Sequence, residues 1–369
     1  MLFAFLMHST RHLLIFTRFP VPGEAKTRLI PALGAEGAAE LQRQMTEHTV
    51  AQARKTDAMI EIRYTGGSVA QMRDWLGDNL DYVDQGVGDL GDRMARAFEE
   101  HFEAGAERVI IVGCDCPSNP WKNIQTAFQA LDPKRSESAF CTPKKKRPEG
   151  VWQHSGCVIG PATDGGYYLI GFCRAGSATP PPRTSKPFPV EMFENIEWGS
   201  ENVLKQTLAA APFAPLLLSE LDDVDLPDDI PPRISVIIPT LNEAGHIFQC
   251  LEKVNEAFGV EVIIVDGGST DGTKQIAQSF SQLINCERGR AAQQNMGAAA
   301  AAGEIFLFLH ADTELPDNWD FVIRATLGFG RSPRLVVRLP PILNHDPANL
   351  RWNPHPFGSC LGRQKAAFL

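Results

Sequence analysis

Unbroken apolar runs that stop on a polar or glycine residue recur along this chain. Residues 12–17 (H-L-L-I-F-T), 108–113 (R-V-I-I-V-G), 234–243 (I-S-V-I-I-P-T-L-N-E), 262–266 (V-I-I-V-D) and 304–312 (E-I-F-L-F-L-H-A-D) are of this kind. Short runs rich in β-branched residues predict strands buried on both faces of a parallel sheet. Residues 58–64 alternate well enough to add another strand, and one more follows the glycines in residues 160–171 (G-P-A-T-D-G-G-Y-Y-L-I-G). Helical spacing is read at about residues 35–55, 69–76 and 94–104. Strands alternating with helices predict an α/β fold. Ligands of such open sheets lie just beyond the carboxyl ends of the strands, so the polar residues that end each run are where chemistry is expected.

In the second half, three runs deliver polar groups to one rim. The stretch 262–273 (V-I-I-V-D-G-G-S-T-D-G-T) turns sharply after Asp266, and Asp266 and Asp271 are expected to face a ligand. The segments I-I-P-T-L-N-E, V-D-G-G-S-T-D-G-T and F-L-H-A-D, in this order and spacing, resemble the family 2 glycosyltransferases of the GT-A fold. The resemblance implies that Thr240, Glu243 and Asp266 contact the nucleoside of a nucleotide donor, that Arg290 assists, and that Asp312 binds a divalent cation on the diphosphate. His310 stands where the family's acidic pair begins. Imidazole suits manganese better than magnesium, so the implied cofactor is a divalent cation, Mn or Mg. His246 reads as a helix-surface residue, and the alanines of residues 297–303 as a helix end packed on the sheet.

The first half has its own clusters. Residues 18–29 (R-F-P-V-P-G-E-A-K-T-R-L) place Arg18, Lys26 and Arg28 just after a strand, a pattern suited to phosphate oxygens, with a solvated basic loop as the alternative. Residues 85–94 (Q-G-V-G-D-L-G-D-R-M) read either as a ligand loop or as a turn with a helix cap. Asp115, in the C-D-C turn, is placed to hold a cation or to cap the next helix. Asp164 precedes two glycines that let a ligand approach the backbone, and Asp223 and Asp225 are further carboxylates or part of an acidic linker. These motifs, with F-E-N-I-E-W-G-S-E-N-V, resemble bacterial GT-A-like transferases associated with radical-SAM and selenium domains, which are similar to 2-phospholactate guanylyltransferases. That resemblance implies a nucleotide-sugar or nucleoside triphosphate as partner, phosphates on Arg18, Lys26 and Arg28, metal on Asp115 and more weakly Asp225, and Asp164 as the catalytic, acceptor-side residue.

Taken together, the expectation is two tandem GT-A, Rossmann-like domains, the second incomplete. The first spans residues 11–229 with an insertion at about 132–157, and the second spans 233–327 after a short proline-bearing connector. Residues 331–369 carry Arg331, Arg334, Arg338, Arg351, Arg363 and Lys365 against Asp346 alone, and are expected to be an atypical, disordered tail. A chain of 369 residues that is 43% hydrophobic has enough apolar content for such cores, and its formal charge of -9 argues against a nucleic-acid partner. Its apolar start lacks the flanks of a signal peptide, and no stretch is long enough to span a bilayer. Cytoplasmic location is therefore expected, with a peripheral membrane contact or lipid acceptor still compatible. Eight cysteines without C-x-x-C spacing fit a reducing compartment. The reaction expected is metal-dependent glycosyl transfer from a nucleotide-sugar to an acceptor the sequence does not name. The alternative is nucleotidyl transfer by the first domain, with the second a non-catalytic binding module.

Overall fold

The computed structural model describes residues 11–132, 156–174, 187–316, 319–327 and 365–368, and divides into two compact units, Met1–Asp229 and Ile230–Leu369. Most of the expected insertion lies outside the described residues, as do residues 175–186 and residues 331–364 and 369 of the expected tail. No helix among the described residues is long and apolar enough to cross a membrane.

The first unit is built from β1 (Arg11–Arg18), α1 (Ile30–Ala53), β2 (Met59–Thr65), α2 (Val69–Leu76), β3 (Asp81–Asp84), α3 (Leu90–Glu103), β4 (Arg108–Gly113), α4 (Trp121–Ala130), β5 (Cys157–Pro161), β6 (Tyr167–Cys173), α5 (Val203–Ala210) and β7 (Leu216–Leu217). Its seven strands lie in the order β3-β2-β1-β4-β6-β5-β7. The first four run parallel, and β6 is antiparallel to both β4 and β5. Successive residues of β1 enter opposite cores: Leu13 and Ile15 pack with Ile62, Ile110 and Val112, while Leu14 and Phe16 pack with Val109, Ile111 and Phe98. This two-sided burial is why β1 and β4 read as continuous apolar runs. An aromatic cluster on α3 and β6 thickens the second core, with the Phe98 and Phe172 rings edge-to-face at 4.9 Å.

Two helices start earlier than their spacing suggests. α1 begins at Ile30 because Pro31 suits a first helical turn, and Gly34 at φ 72° kinks it where the periodic pattern takes over. α3 begins at Leu90 because Asp89 and Asp92 form a reciprocal capping box.

The second unit contains β8 (Ile234–Thr240), α6 (Ile247–Val254), β9 (Val260–Asp266), α7 (Thr273–Gln278), β10 (Gln282–Asn285), α8 (Arg290–Ala300), β11 (Ile305–Phe308), α9 (Trp319–Thr326) and β12 (Lys365–Phe368). Its five strands, in the order β10-β9-β8-β11-β12, are all parallel. Val236, Ile238, Ile264, Leu307 and Leu251 fill one face. On the other, α8 lies so close that a Cβ on Gly297 would collide with the Ile237 side chain. His246 is the residue from which α6 starts.

Candidate functional site

In the first unit, four carboxylates and two loop cations converge beyond the strand ends. Asp115 follows β4, whose last residue pairs with Phe16 of β1. Asp164 sits in the turn from β5 to β6, where its Oδ1 accepts from the Gly166 amide at 2.7 Å. Gly165 occupies φ 88°, and a Cβ there would run into the Glu201 carbonyl, so the turn requires glycine. Residues 221–225 run alongside this turn: Leu221 bridges Ala162, and the Val224 amide donates to the Asp115 carbonyl at 2.9 Å. That course brings Asp223 and Asp225 to Asp164, with carboxylate oxygens of the three within 4.8 Å of one another.

Lys26 adopts the left-handed conformation at φ 45°. Its Nζ lies 2.6 Å from Asp115 Oδ1, 3.0 Å from Asp225 Oδ1 and 2.7 Å from the Val224 carbonyl. Burial alone would lower its pKa, but the charges of Asp115 and Asp225 outweigh that and hold it above the ordinary value. Arg28 Nη1 reaches the other oxygen of Asp225 at 3.0 Å. Two of the three expected phosphate ligands are thus engaged with carboxylates, whereas exposed Arg18, among the described residues, donates to the Glu24 carbonyl at 3.4 Å. The Asp223 carboxyl is pushed up to about 6, first by burial and then by the negative charge of Asp164. Crowded hard-oxygen donors of this kind fit a divalent cation, which would relieve their repulsion. Beside them opens a cleft of ≈ 370 Å³ that Arg18, Lys26, Gln85, Arg93 and Asp115 help line. Cys114 and Cys116 are buried, and burial raises both thiols, Cys114 to about 11, so neither is a ready nucleophile.

The second unit builds its rim differently. Asp266, at the end of β9, is fully buried and accepts from the Gly268 and Ser269 amides at 2.9 and 2.8 Å and from the Thr240 hydroxyl at 3.2 Å. Lys274 Nζ adds an ion pair at 3.3 Å. Burial would raise this carboxyl, but the hydrogen bonds of Ser269 and Gly268 and that of Lys274 hold it below the usual range. Asp266 and Thr240 therefore shape the turn from beneath. Asp271, fully exposed, accepts from the Ala244 amide at 3.1 Å and the Thr273 hydroxyl at 2.6 Å, so it ties the turn to the segment carrying Glu243. Arg290 is exposed at the start of α8, and Asp312 is exposed two residues beyond His310. Among the described residues, no group of three ligating side chains forms around Asp312.

Several residues that build these sites were not singled out from the sequence. Gln293 is buried in α8, and its amide donates to the Thr240 and Val265 carbonyls, both at 2.8 Å, which locks β8 to β9 at the rim. Its place in G-R-A-A-Q-Q-N was the available signal. Gln85 opens the 85–94 segment read as a ligand loop or a capped turn, whereas Lys274 carried no comparable pattern.

Residues 48–200 match the family described as "Uncharacterized protein conserved in bacteria (DUF2064)", and residues 235–327 match "Glycosyl transferase family 2". Glycosyltransferase AglE of Haloferax volcanii is 40% identical over 100 residues, covering 24% of this chain and 33% of the relative. A PGL/p-HBAD biosynthesis glycosyltransferase of Mycobacterium bovis is 39% identical over 94 residues, 23% of this chain and 37% of the relative. The chain thus spans about a third of the length of these curated relatives. A solved protein of Desulfovibrio desulfuricans, described as a nucleotide-diphospho-sugar transferase, is 30% identical, covers 59% of this chain and 83% of its own, and has a TM-score of 0.48. The chain therefore joins a domain of the DUF2064 family, at residues 48–200, to a family 2 glycosyl transferase domain, at residues 235–327.

Proposed function

We propose that this chain is a metal-dependent transferase acting on an activated nucleotide donor, with glycosyl transfer from a nucleotide-sugar as its reaction. The observation that carries this reading is the family 2 match over residues 235–327, the span that holds β8, β9 and β11 and the polar rim at their ends. On that rim Thr240 and Asp266 hold the glycine turn in shape, Glu243 and Arg290 meet the nucleoside, and Asp312 lies on the diphosphate side. In the first unit, Asp164, Asp223 and Asp225 are the residues whose chemistry fits a divalent ion, Mn or Mg. Such an ion, when bound, neutralises charge on a leaving diphosphate. Lys26 keeps Asp115 and Asp225 in place, and Arg18 faces the donor's phosphates as a preorganised cation. A cytoplasmic setting, with a peripheral membrane contact or lipid acceptor compatible with it, belongs to the same proposal.

Product analysis tests it. The purified chain is incubated with Mn or Mg and a panel of nucleotide-sugars and nucleoside triphosphates, alongside Asp115→Asn and Asp312→Asn. Release of a nucleoside diphosphate from one sugar donor is the expected result, with a loss of about a hundredfold or more in the variant of the unit that turns over. Pyrophosphate released from one triphosphate, sensitive to Asp115→Asn alone, would instead make the first unit a nucleotidyltransferase and the second a binding module.

A further inference from the structure

The cleft of the first unit has a cationic side that the loop lysine does not supply. Arg93, on the first turns of α3, is half-buried and lines the cleft with Arg18. Its Nε donates to the Asp89 carbonyl at 3.0 Å and its Nη1 to Gln85 Oε1 at 2.8 Å. Gln85 is itself buried, its amide bonded to the Thr17 carbonyl at 3.2 Å and the Arg63 carbonyl at 2.9 Å. The guanidinium is thus fixed through one glutamine to the ends of β1 and β2. Arg96, one turn on, wraps the same loop by donating to the Gln85 and Val87 carbonyls at 2.8 and 2.7 Å.

Every acceptor in this set is neutral, and neither Arg18 nor Arg93 has a carboxylate at ion-pair distance among the described residues. Burial, and next the charge of Arg18, depress the Arg93 guanidinium, with the Asp89 carboxylate acting against them. Two guanidinium groups that line one cleft, with N–H donors left over and no carboxylate at ion-pair distance among the described residues, are stabilised by an anion that enters.

We propose that Arg18 and Arg93 together form an anion-binding wall in the first unit's cleft that grips the diphosphate or triphosphate group of its ligand. Lys26 and Arg28 then act on Asp115 and Asp225 instead of on phosphate. The ligand class rests on the nucleotide-donor reading, but the anion site itself does not.

Calorimetric titration of inorganic pyrophosphate into the full chain, in chelator and without any donor, tests the wall. Arg93→Gln and Arg18→Gln are each expected to weaken binding by about tenfold or more, since each removes a charge-assisted fork. Arg43→Gln, which deletes the same charge from the α1 surface, is expected to bind as the parent does. Arg18 is exposed, so its variant tests the wall even if Arg93→Gln disturbs α3. A parent chain that does not bind pyrophosphate, or a folded Arg93→Gln or Arg18→Gln chain that binds it as tightly as the parent, overturns the proposal. Failure of every nucleotide donor in the transfer assay would leave these affinities unchanged, so the two readings fall separately.

Discussion

The Glu61 carboxylate lies against Arg63 on its own strand and 3.5 Å from His101 Nε2 on α3. Arg63 also holds Glu100 at 2.7 Å, and the His12 ring meets His101 edge-on at 5.1 Å. Burial alone would raise the Glu61 carboxyl, but the His101 hydrogen bond and the Arg63 charge outweigh it and hold the group below its ordinary 4.5. A carboxyl with a depressed folded pKa contributes stability that is complete above its unfolded value and is lost as pH falls through the folded one. Glu61→Gln is therefore expected to destabilise the first unit at pH 7 by about 1.5 kcal/mol, because buried Arg63 loses one of its two carboxylate partners and keeps Glu100. In melts taken at falling pH, the gap between parent and variant should close below about pH 4.5. A gap that stays constant as pH falls, until the parent itself unfolds, would assign the loss to packing. The same scale explains what the sequence hid. Lys26 and Asp225 are 199 residues apart, so their contact has no local signal, and three cations on one loop read alike although two of them face carboxylates. Asp115 and Asp164 were legible as strand-end or turn carboxylates, and Asp223 and Asp225 only as further carboxylates or an acidic linker; that the last two join Asp164 depends on the course of residues 221–225.

At the scale of elements, α8 packs its small-residue face onto β8 and β9. A Cβ on Gly297 would meet Ile237 too closely and come within 3.1 Å of Val265, while Ala298 and Ala301 lie against the core of Ile237, Phe306 and Phe308. Gly297→Val must push the helix off the sheet, and overpacking of this kind costs about 1–3 kcal/mol. Since α8 also carries Gln293, whose amide bonds the ends of β8 and β9, the loss should reach the rim: native-state hydrogen exchange is expected to speed up at the turn after Asp266. Unchanged exchange there, with a lowered melting temperature, would separate helix packing from rim geometry. The alanine-rich stretch was readable as tight packing because only small side chains permit such an approach. Two of the shortest strands were not readable. β7 and β10 span two and four residues, and of β6, which the sequence did indicate as a strand, the antiparallel direction was not legible because it depends on a turn that requires Gly165. The buried parallel strands β1, β4, β8 and β9 stood out because both of their faces are covered.

Across the first unit as a whole, Asp164 and the pair Asp223 and Asp225 belong to segments about 60 residues apart, brought side by side only by the folded sheet. The Thr163 hydroxyl, 3.4 Å from Asp223 Oδ1, spans 60 positions. An unfolded chain has no such cluster, so a divalent ion that binds it binds the folded state alone and raises stability by mass action. At a hundredfold excess over its dissociation constant, the gain is about 2.7 kcal/mol. Adding Mn to the chelator-treated chain is expected to raise its melting temperature by several degrees, and excess chelator should reverse the shift. Asp164→Asn and Asp223→Asn should each remove most of the shift, because each takes away a hard-oxygen ligand while relieving the repulsion that raises the Asp223 carboxyl. The variants alone, without metal, should then melt at or slightly above the parent's temperature. That inversion distinguishes a metal cluster from a structural one: if both variants melt lower without metal and keep the Mn-dependent shift, the carboxylates serve the turn and the ion is held elsewhere.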